Sequence, residues 1–216
     1  MITKVVKTIL LSTALALFAA NVFALSPNEL ARKVTEGYEG VEDISANFTQ
    51  TSTMGTVGIE RVTGGEVAFK RGARMRWDYE GDDPQQIISD GEYLWFYQIR
   101  DRSVIRRPIA ALTPAARVML EVISGLSSAE EHFELSSCKE RCLALTPKVS
   151  EPDIERVEVV VDEKYRIKSV TTINGLGNTT KVTLSGAKIN SGLSDSYFDF
   201  TLPEGVDLFD GEGGSQ

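Results

Sequence analysis

From residue 44 onward, apolar and polar positions alternate with a period of two over most of the chain, as in strands that cover a core with one face only. Ile44, Ala46 and Phe48 begin the first predicted strand, which runs to Thr53 before a turn at Gly55–Gly58. Ile59–Thr63 then leads into Gly64–Gln98, where the alternation is strongest. Val67 and Phe69 fall on one side, and Ala73, Met75, Trp77 and Tyr79 alternate with Arg74, Arg76 and Asp78. Gly81-Asp82-Asp83-Pro84 is turn chemistry, Gln85–Ser89 a short strand, and Asp90-Gly91 the dipeptide of a tight primed turn. Tyr93–Gln98 carries Leu94, Trp95, Phe96 and Tyr97 without a polar break. Further strands are predicted over Arg102–Arg107, the hairpin Glu134–Leu145, Ile154–Val161, Arg166–Ile173, Thr179–Ile189 and Phe198–Thr201.

Two stretches change to helical spacing. Ser26-Pro27-Asn28-Glu29 reads as an N-cap, a proline at the first helical position and a capping-box partner, with Leu30, Val34 and Tyr38 on one stripe. Thr113-Pro114 starts a second helix whose Val118, Met119, Leu120 and Ile123 belong to an apolar surface reaching nearly all round, stopped at Ser124-Gly125. Such a helix needs cover on most sides, so it is either a buried plug or a lid. Ser127–Glu131 offers one more helical turn. The predicted class is mainly β with a few helices (α+β): a curved antiparallel sheet forming an open, incomplete barrel, with a helical lid over an apolar cavity. One domain is expected over 25–209, followed by a flexible, glycine-rich tail at 210–216.

The N-terminus stands outside this pattern. Lys4 and Lys7 precede an apolar run over Ile9–Ala20 broken only by Ser12 and Thr13, and Val22-Phe23-Ala24 places small residues where a signal peptidase cuts. Residues 1–24 read as a secretory signal; the run is shorter than the roughly 20 residues of a membrane span. No cysteine follows the expected cleavage point, so the chain is not expected to be lipidated itself. The formal charge is −8, and cleavage removes two lysines and no acid. So acidic a surface repels nucleic acid and anionic headgroups, which excludes nucleic-acid binding. The two cysteines, Cys138 and Cys142, are separated by a three-residue turn in an exported chain, and a structural disulfide is expected. A redox-active pair would want the shorter catalytic spacing and a neighbouring helix start, and a metal site would want two more ligands.

Catalytic chemistry finds no purchase. His132 is the single histidine and reads as a surface residue at a strand edge. No nucleophile elbow, paired histidines or phosphate loop occurs, and the adjacent carboxylates Asp82-Asp83 and Glu130-Glu131 would point apart on strands. No catalytic residue, metal or cofactor is expected. Apolar surface remains: Phe48, Val67, Phe69, Met75, Trp77 and Trp95 either fill an ordinary core or line a cavity able to hide hydrocarbon. Arg71 follows Phe69 by two, so in a continuing strand it would share that side; a surface arginine at a strand end is the alternative.

The ordered set Phe69-Lys70-Arg71, Arg76-Trp77-Asp78-Tyr79, Pro84-Gln85-Gln86-Ile87-Ile88-Ser89-Asp90-Gly91 and Leu94-Trp95-Phe96-Tyr97 resembles the periplasmic outer-membrane lipoprotein carrier family, LolA. The resemblance extends to Ala46-Asn47-Phe48-Thr49-Gln50, Leu145-Thr146-Pro147-Lys148 and Phe198–Val206, nearly the whole chain after its first two dozen residues. It implies a soluble, monomeric periplasmic chaperone. Such a carrier takes the acyl chains of lipoproteins from an inner-membrane lipoprotein-releasing ABC transporter and delivers them to an outer-membrane acceptor. It implies that Arg71 latches the lid helix over the empty cavity, and that the six apolar residues named above line it. Gly72 departs from the family, which usually has proline after this arginine. The alternative function is a periplasmic lipid- or lipoprotein-sensing regulatory domain sharing the fold.

Overall fold

The computed structural model describes residues 25–111, 125, 129–151 and 153–211. The signal sequence expected at 1–24 lies outside them.

Helix α1 spans Pro27–Gly37. The Ser26 hydroxyl accepts from the Glu29 N–H at 3.3 Å, and the Glu29 carboxylate accepts from the Ser26 N–H at 2.9 Å, which closes the expected capping box. Twelve strands follow: β1 Asp43–Met54, β2 Ile59–Lys70, β3 Arg74–Glu80, β4 Gln85–Asp90, β5 Tyr93–Gln98, β6 Ser103–Pro108, β7 Phe133–Lys139, β8 Cys142–Pro147, β9 Arg156–Val161, β10 Ile167–Ile173, β11 Thr179–Ile189 and β12 Asp207–Asp210. A 3-10 turn, Ile109–Ala111, follows β6; a short helix α2, Ala129–His132, precedes β7; and a second 3-10 turn, Asp195–Phe198, follows β11.

All twelve strands form one open sheet in the order β12-β6-β5-β4-β3-β2-β1-β11-β10-β9-β8-β7. Two antiparallel meanders, β1–β6 and β7–β11, are joined where β1 pairs with β11. Only β12, among the described strands, is parallel to its neighbour, β6. The sheet does not close, as expected of an incomplete barrel.

Two apolar clusters occupy the inner face. One packs Leu30, Ala31 and Val34 of α1 onto Leu143, Leu145, Val157, Val159, Val161 and Ile167. The other gathers Ala46, Phe48, Val67, Phe69, Met75, Trp77, Leu94 and Val182 around β1–β3, β5 and β11. The outer face carries a cover of its own. Lys70 holds the Leu193 carbonyl and the Asp195 carboxylate, each at 2.6 Å, and Arg74 lies 3.6 Å from the same carboxylate. The segment they clasp turns Phe198 into full burial.

Three expectations are corrected. Phe198–Thr201 is the end of a 3-10 turn and an extended segment, and the last strand lies further on, at β12. Asp210 therefore belongs to a strand and not to a tail; its carboxylate accepts from Arg106 Nε at 2.7 Å. The β4–β5 loop is Gly91-Glu92, with φ +101° at Gly91 alone. Asp90 stays in the strand, where its Oδ1 accepts the Glu92 and Tyr93 N–H groups at 2.8 and 2.7 Å. The cysteine expectation holds: Cys138 and Cys142 form a disulfide across the β7–β8 turn. Its sulfurs lie within 4.8 Å of the Glu158 carboxylate, but bonded to each other they offer no thiolate to a metal.

Candidate functional site

The aromatic cluster is built by register. Phe48 on β1 faces Gly65 on β2, and Gly65 faces Tyr79 on β3. Gly65 leaves an empty place on the inner face, and a Cβ there would overlap the Asp78 carbonyl oxygen. The Phe48 ring packs edge-on against Trp77 and Tyr79, both at 4.8 Å between centroids, and Phe69 meets Trp77 at 5.8 Å. Rings leaning edge to face support each other without filling the space in front of them.

That space is a cavity of about 200 Å³ lined by Met75, Trp77, Tyr79, Ile87, Leu94, Phe96, Ile109, Val170 and Val182, with Gln50, Ser89, Thr172 and Thr180 as its polar members. A smaller hollow of about 60 Å³ adjoins it, sharing Trp77, Val170 and Val182 and extending to Tyr38, Ile44, Phe69 and Leu184. Ser89 contributes little polarity, because its hydroxyl already donates to the Ala73 carbonyl at 2.7 Å. Burial raises the pKa of Tyr79 above the ordinary phenol value, so its hydroxyl keeps its proton. Among the described residues, no Lys, Arg, Asp or Glu lines the larger cavity. Its chemistry is therefore that of a hydrocarbon solvent with a few hydroxyl and amide groups.

The family model of the Outer membrane lipoprotein carrier protein LolA matches residues 39–201. The chain belongs to the LolA family. It is similar to the outer-membrane lipoprotein carrier protein of Azotobacter vinelandii, 28% identical over 89% of this chain and 95% of the relative. It is also similar to that of Cupriavidus necator, 30% identical over 90% of this chain and 93% of the relative. A crystal structure of an uncharacterized conserved protein from Thermus thermophilus shares the fold, with a TM-score of 0.52 at 9% identity, covering 85% of this chain and 98% of that one.

The structure brings Phe48, Val67, Phe69, Met75 and Trp77 together on the inner face; Met75 and Trp77 line the larger cavity and Phe69 the smaller. Trp95 is the correction. It pairs in register with Ile88 and Arg106, while its neighbours Leu94 and Phe96 face inward. On the outer face its ring stacks on Phe200 at 5.1 Å, its Nε1 donates to Asp90 at 3.1 Å, and Arg106 lies over it at 5.4 Å.

Arg71 stands one residue past β2. Its N–H donates to the Glu42 carbonyl at 3.1 Å, so the ladder continues one step and Arg71 keeps the parity of Val67 and Phe69, at the rim. Its Nε donates to the Val41 carbonyl at 2.8 Å and lies 3.2 Å from Glu42 Oε1, with 58% of the side chain exposed. Gly72 has φ +85°, a conformation closed to proline. The predicted lid residues Val118, Met119, Leu120 and Ile123 lie outside the described residues. The ends flanking that segment are placed: Ile109 lines the cavity, and the Gly125 carbonyl accepts from Thr35 Oγ1 of α1 at 2.9 Å. His132 is an exposed residue ending α2, and its carbonyl accepts from the Lys148 N–H at 2.9 Å.

Sequence reasoning missed Gln50 and Tyr79 as a pair. The Tyr79 hydroxyl donates to Gln50 Oε1 at 3.0 Å, at the end of the cavity away from Phe69. The available signal was parity: Gln50 follows Phe48 by two, so a polar amide sits on the apolar side of β1.

Proposed function

We propose that this cavity binds the acyl chains of lipoproteins, and that the protein carries them as a soluble, monomeric complex through the periplasm. An inner-membrane lipoprotein-releasing ABC transporter loads it and an outer-membrane acceptor unloads it. The observation that carries the reading is an aromatic-walled cavity, with no charged side chain among its described lining residues, on the inner face of a LolA-family sheet. Hiding hydrocarbon from water is worth ~0.8 kcal/mol per methylene, so ten methylenes supply about 8 kcal/mol with no directional contact. The cavity's 200 Å³ is below the roughly 300–1,000 Å³ typical of small-molecule sites, so long acyl chains must part its walls.

Opening then uses the predicted Thr113–Ile123 lid, with Arg71 as its latch at the rim. The planar guanidinium suits several carbonyl acceptors, and its Val41 contact is of that kind. Loading exchanges latch contacts for acyl–aromatic ones, and delivery requires the two states to lie within a few kcal/mol.

The test is release from spheroplasts depleted of their own carrier. Added mature protein should bring acylated lipoproteins into the supernatant as a stoichiometric complex. Recovery of free phospholipid only, or of nothing, by folded protein would overturn the reading. Arg71→Leu should still bind acyl cargo but deliver it poorly; normal delivery would remove the latch role.

A further inference from the structure

The cavity has a polar continuation. Gln50 and Tyr79 line both the apolar cavity and a second, larger space of about 600 Å³ that is walled by Ser52, Arg61, Thr63, Glu80, Asp82 and Gln85 among others. The pair is thus the boundary between an apolar compartment and a polar trough. Both side chains project from the inner face, two residues beyond Phe48 on β1 and Trp77 on β3. Their mutual bond leaves capacity unused. The phenol O–H can turn to another acceptor, and the Gln50 amide nitrogen has only a long 3.4 Å contact to Ser52 Oγ.

An acyl chain is hydrocarbon at its far end only. Its carbonyl joins it to a glyceryl oxygen or an amine, and that carbonyl, drawn to the edge of an apolar cavity, needs a donor. We propose that Gln50 and Tyr79 are the seat for the ester or amide carbonyl of the bound acyl chain, with the hydrocarbon toward Trp77 and the polar remainder in the trough. Tyr79 O–H and Gln50 Nε2 donate to the carbonyl oxygen in place of their bond to each other and to Ser52. Because no described cation lines the cavity and Arg61 in the trough already faces Asp83 at 3.4 Å, the seat suits a neutral carbonyl better than a free carboxylate. This inference rests on the acyl-chain reading above.

Acyl esters occur in lipoprotein N-termini and in phospholipids, so the experiment carries both. A synthetic tripalmitoylated cysteinyl peptide, a short-chain phosphatidylglycerol, palmitate and the apolar dye N-phenylnaphthylamine are titrated into the full mature protein, Tyr79→Phe and Gln50→Leu. The expected result is that Tyr79→Phe raises Kd for both esters about tenfold more than it raises Kd for the dye, which carries no carbonyl; tenfold is the factor one hydrogen bond carries. Gln50→Leu should act in the same direction, and palmitate should bind the wild type more weakly than either ester. The tighter ester in the wild type identifies the source. Ester binding unchanged in both variants, or dye and ester affinities falling together, overturns the seat and leaves the acyl-chain reading intact. Wild-type protein that binds the dye but no ester overturns both.

Discussion

The two halves of the inner face are made of the same strand pattern and end in opposite states. Where α1 packs on the sheet, its Val34 and the strand residues Leu143, Val157 and Val159 are fully buried, and branched aliphatic side chains interlock with the stripe of a capped helix. Around Trp77, no helix among the described residues packs on the face in that way, and the largest side chains are rings, which prop one another at 4.8 to 6.3 Å and leave a hollow. Val170 belongs to both, packing into the first cluster and lining the cavity of the second. Alternation alone therefore says that a face is apolar; the shape of the side chains and the element laid over them decide whether it becomes core or container.

This contrast can be broken most sharply by deletion. Leu145→Ala in the packed half should cost about 2–5 kcal/mol, while Ile87→Ala on the cavity wall should cost about 1 kcal/mol, because one side of Ile87 already meets empty space. Urea unfolding of the two variants measures this, and equal losses would dissolve the distinction. Next in size is Asp43, where β1 begins and both halves are tied to the chain after β11. Asp43 is 3% exposed, and its carboxylate accepts from the Ser191 hydroxyl and from the Ser191, Gly192 and Leu193 N–H groups at 2.8 to 3.2 Å. Burial pushes its pKa up, but these donors together outweigh burial and hold it below the usual carboxylate value. A lowered folded pKa contributes stability that is present above the unfolded value of about 3.9 and is lost as pH falls through the folded one. Asp43→Asn should therefore cost about 1.5–3 kcal/mol at neutral pH, and its stability should fall less steeply than the wild type's below about pH 4. Acid titration of unfolding followed by circular dichroism checks both.

Smaller still is the disulfide. It closes a loop of a few residues, so Cys138→Ser with Cys142→Ser should cost about 2 kcal/mol at most. It belongs to the edge of the packed half, so the double variant should keep wild-type affinity for the apolar dye; a weakened affinity would mean that the halves are coupled.

What could be read in advance follows physical lines. The α1 capping box and the strands with one polar face, such as β3, were legible because each position carries its own signal. Leu94–Tyr97 was not, because an uninterrupted apolar run has no parity; both faces of β5 are covered, one by the cavity and one by Phe200, so Trp95 was placed on the wrong face. β12 escaped because four residues, Asp207–Asp210, pair in parallel with a strand a hundred residues earlier. Gln50 and Tyr79 escaped because their meaning lies in a cross-strand hydrogen bond.

The two tryptophans of the chain fall on opposite faces of the sheet, Trp77 in the cavity wall and Trp95 outside, which allows the central claim to be tested optically. The tripalmitoylated peptide is titrated into Trp95→Phe, which reports Trp77, and into Trp77→Phe, which reports Trp95. Acyl chains bound in the cavity predict a saturable emission change from Trp77 and a flat signal from Trp95. A response from Trp95 alone, or binding detected by calorimetry with Trp77 silent, would place the ligand elsewhere and contradict the account.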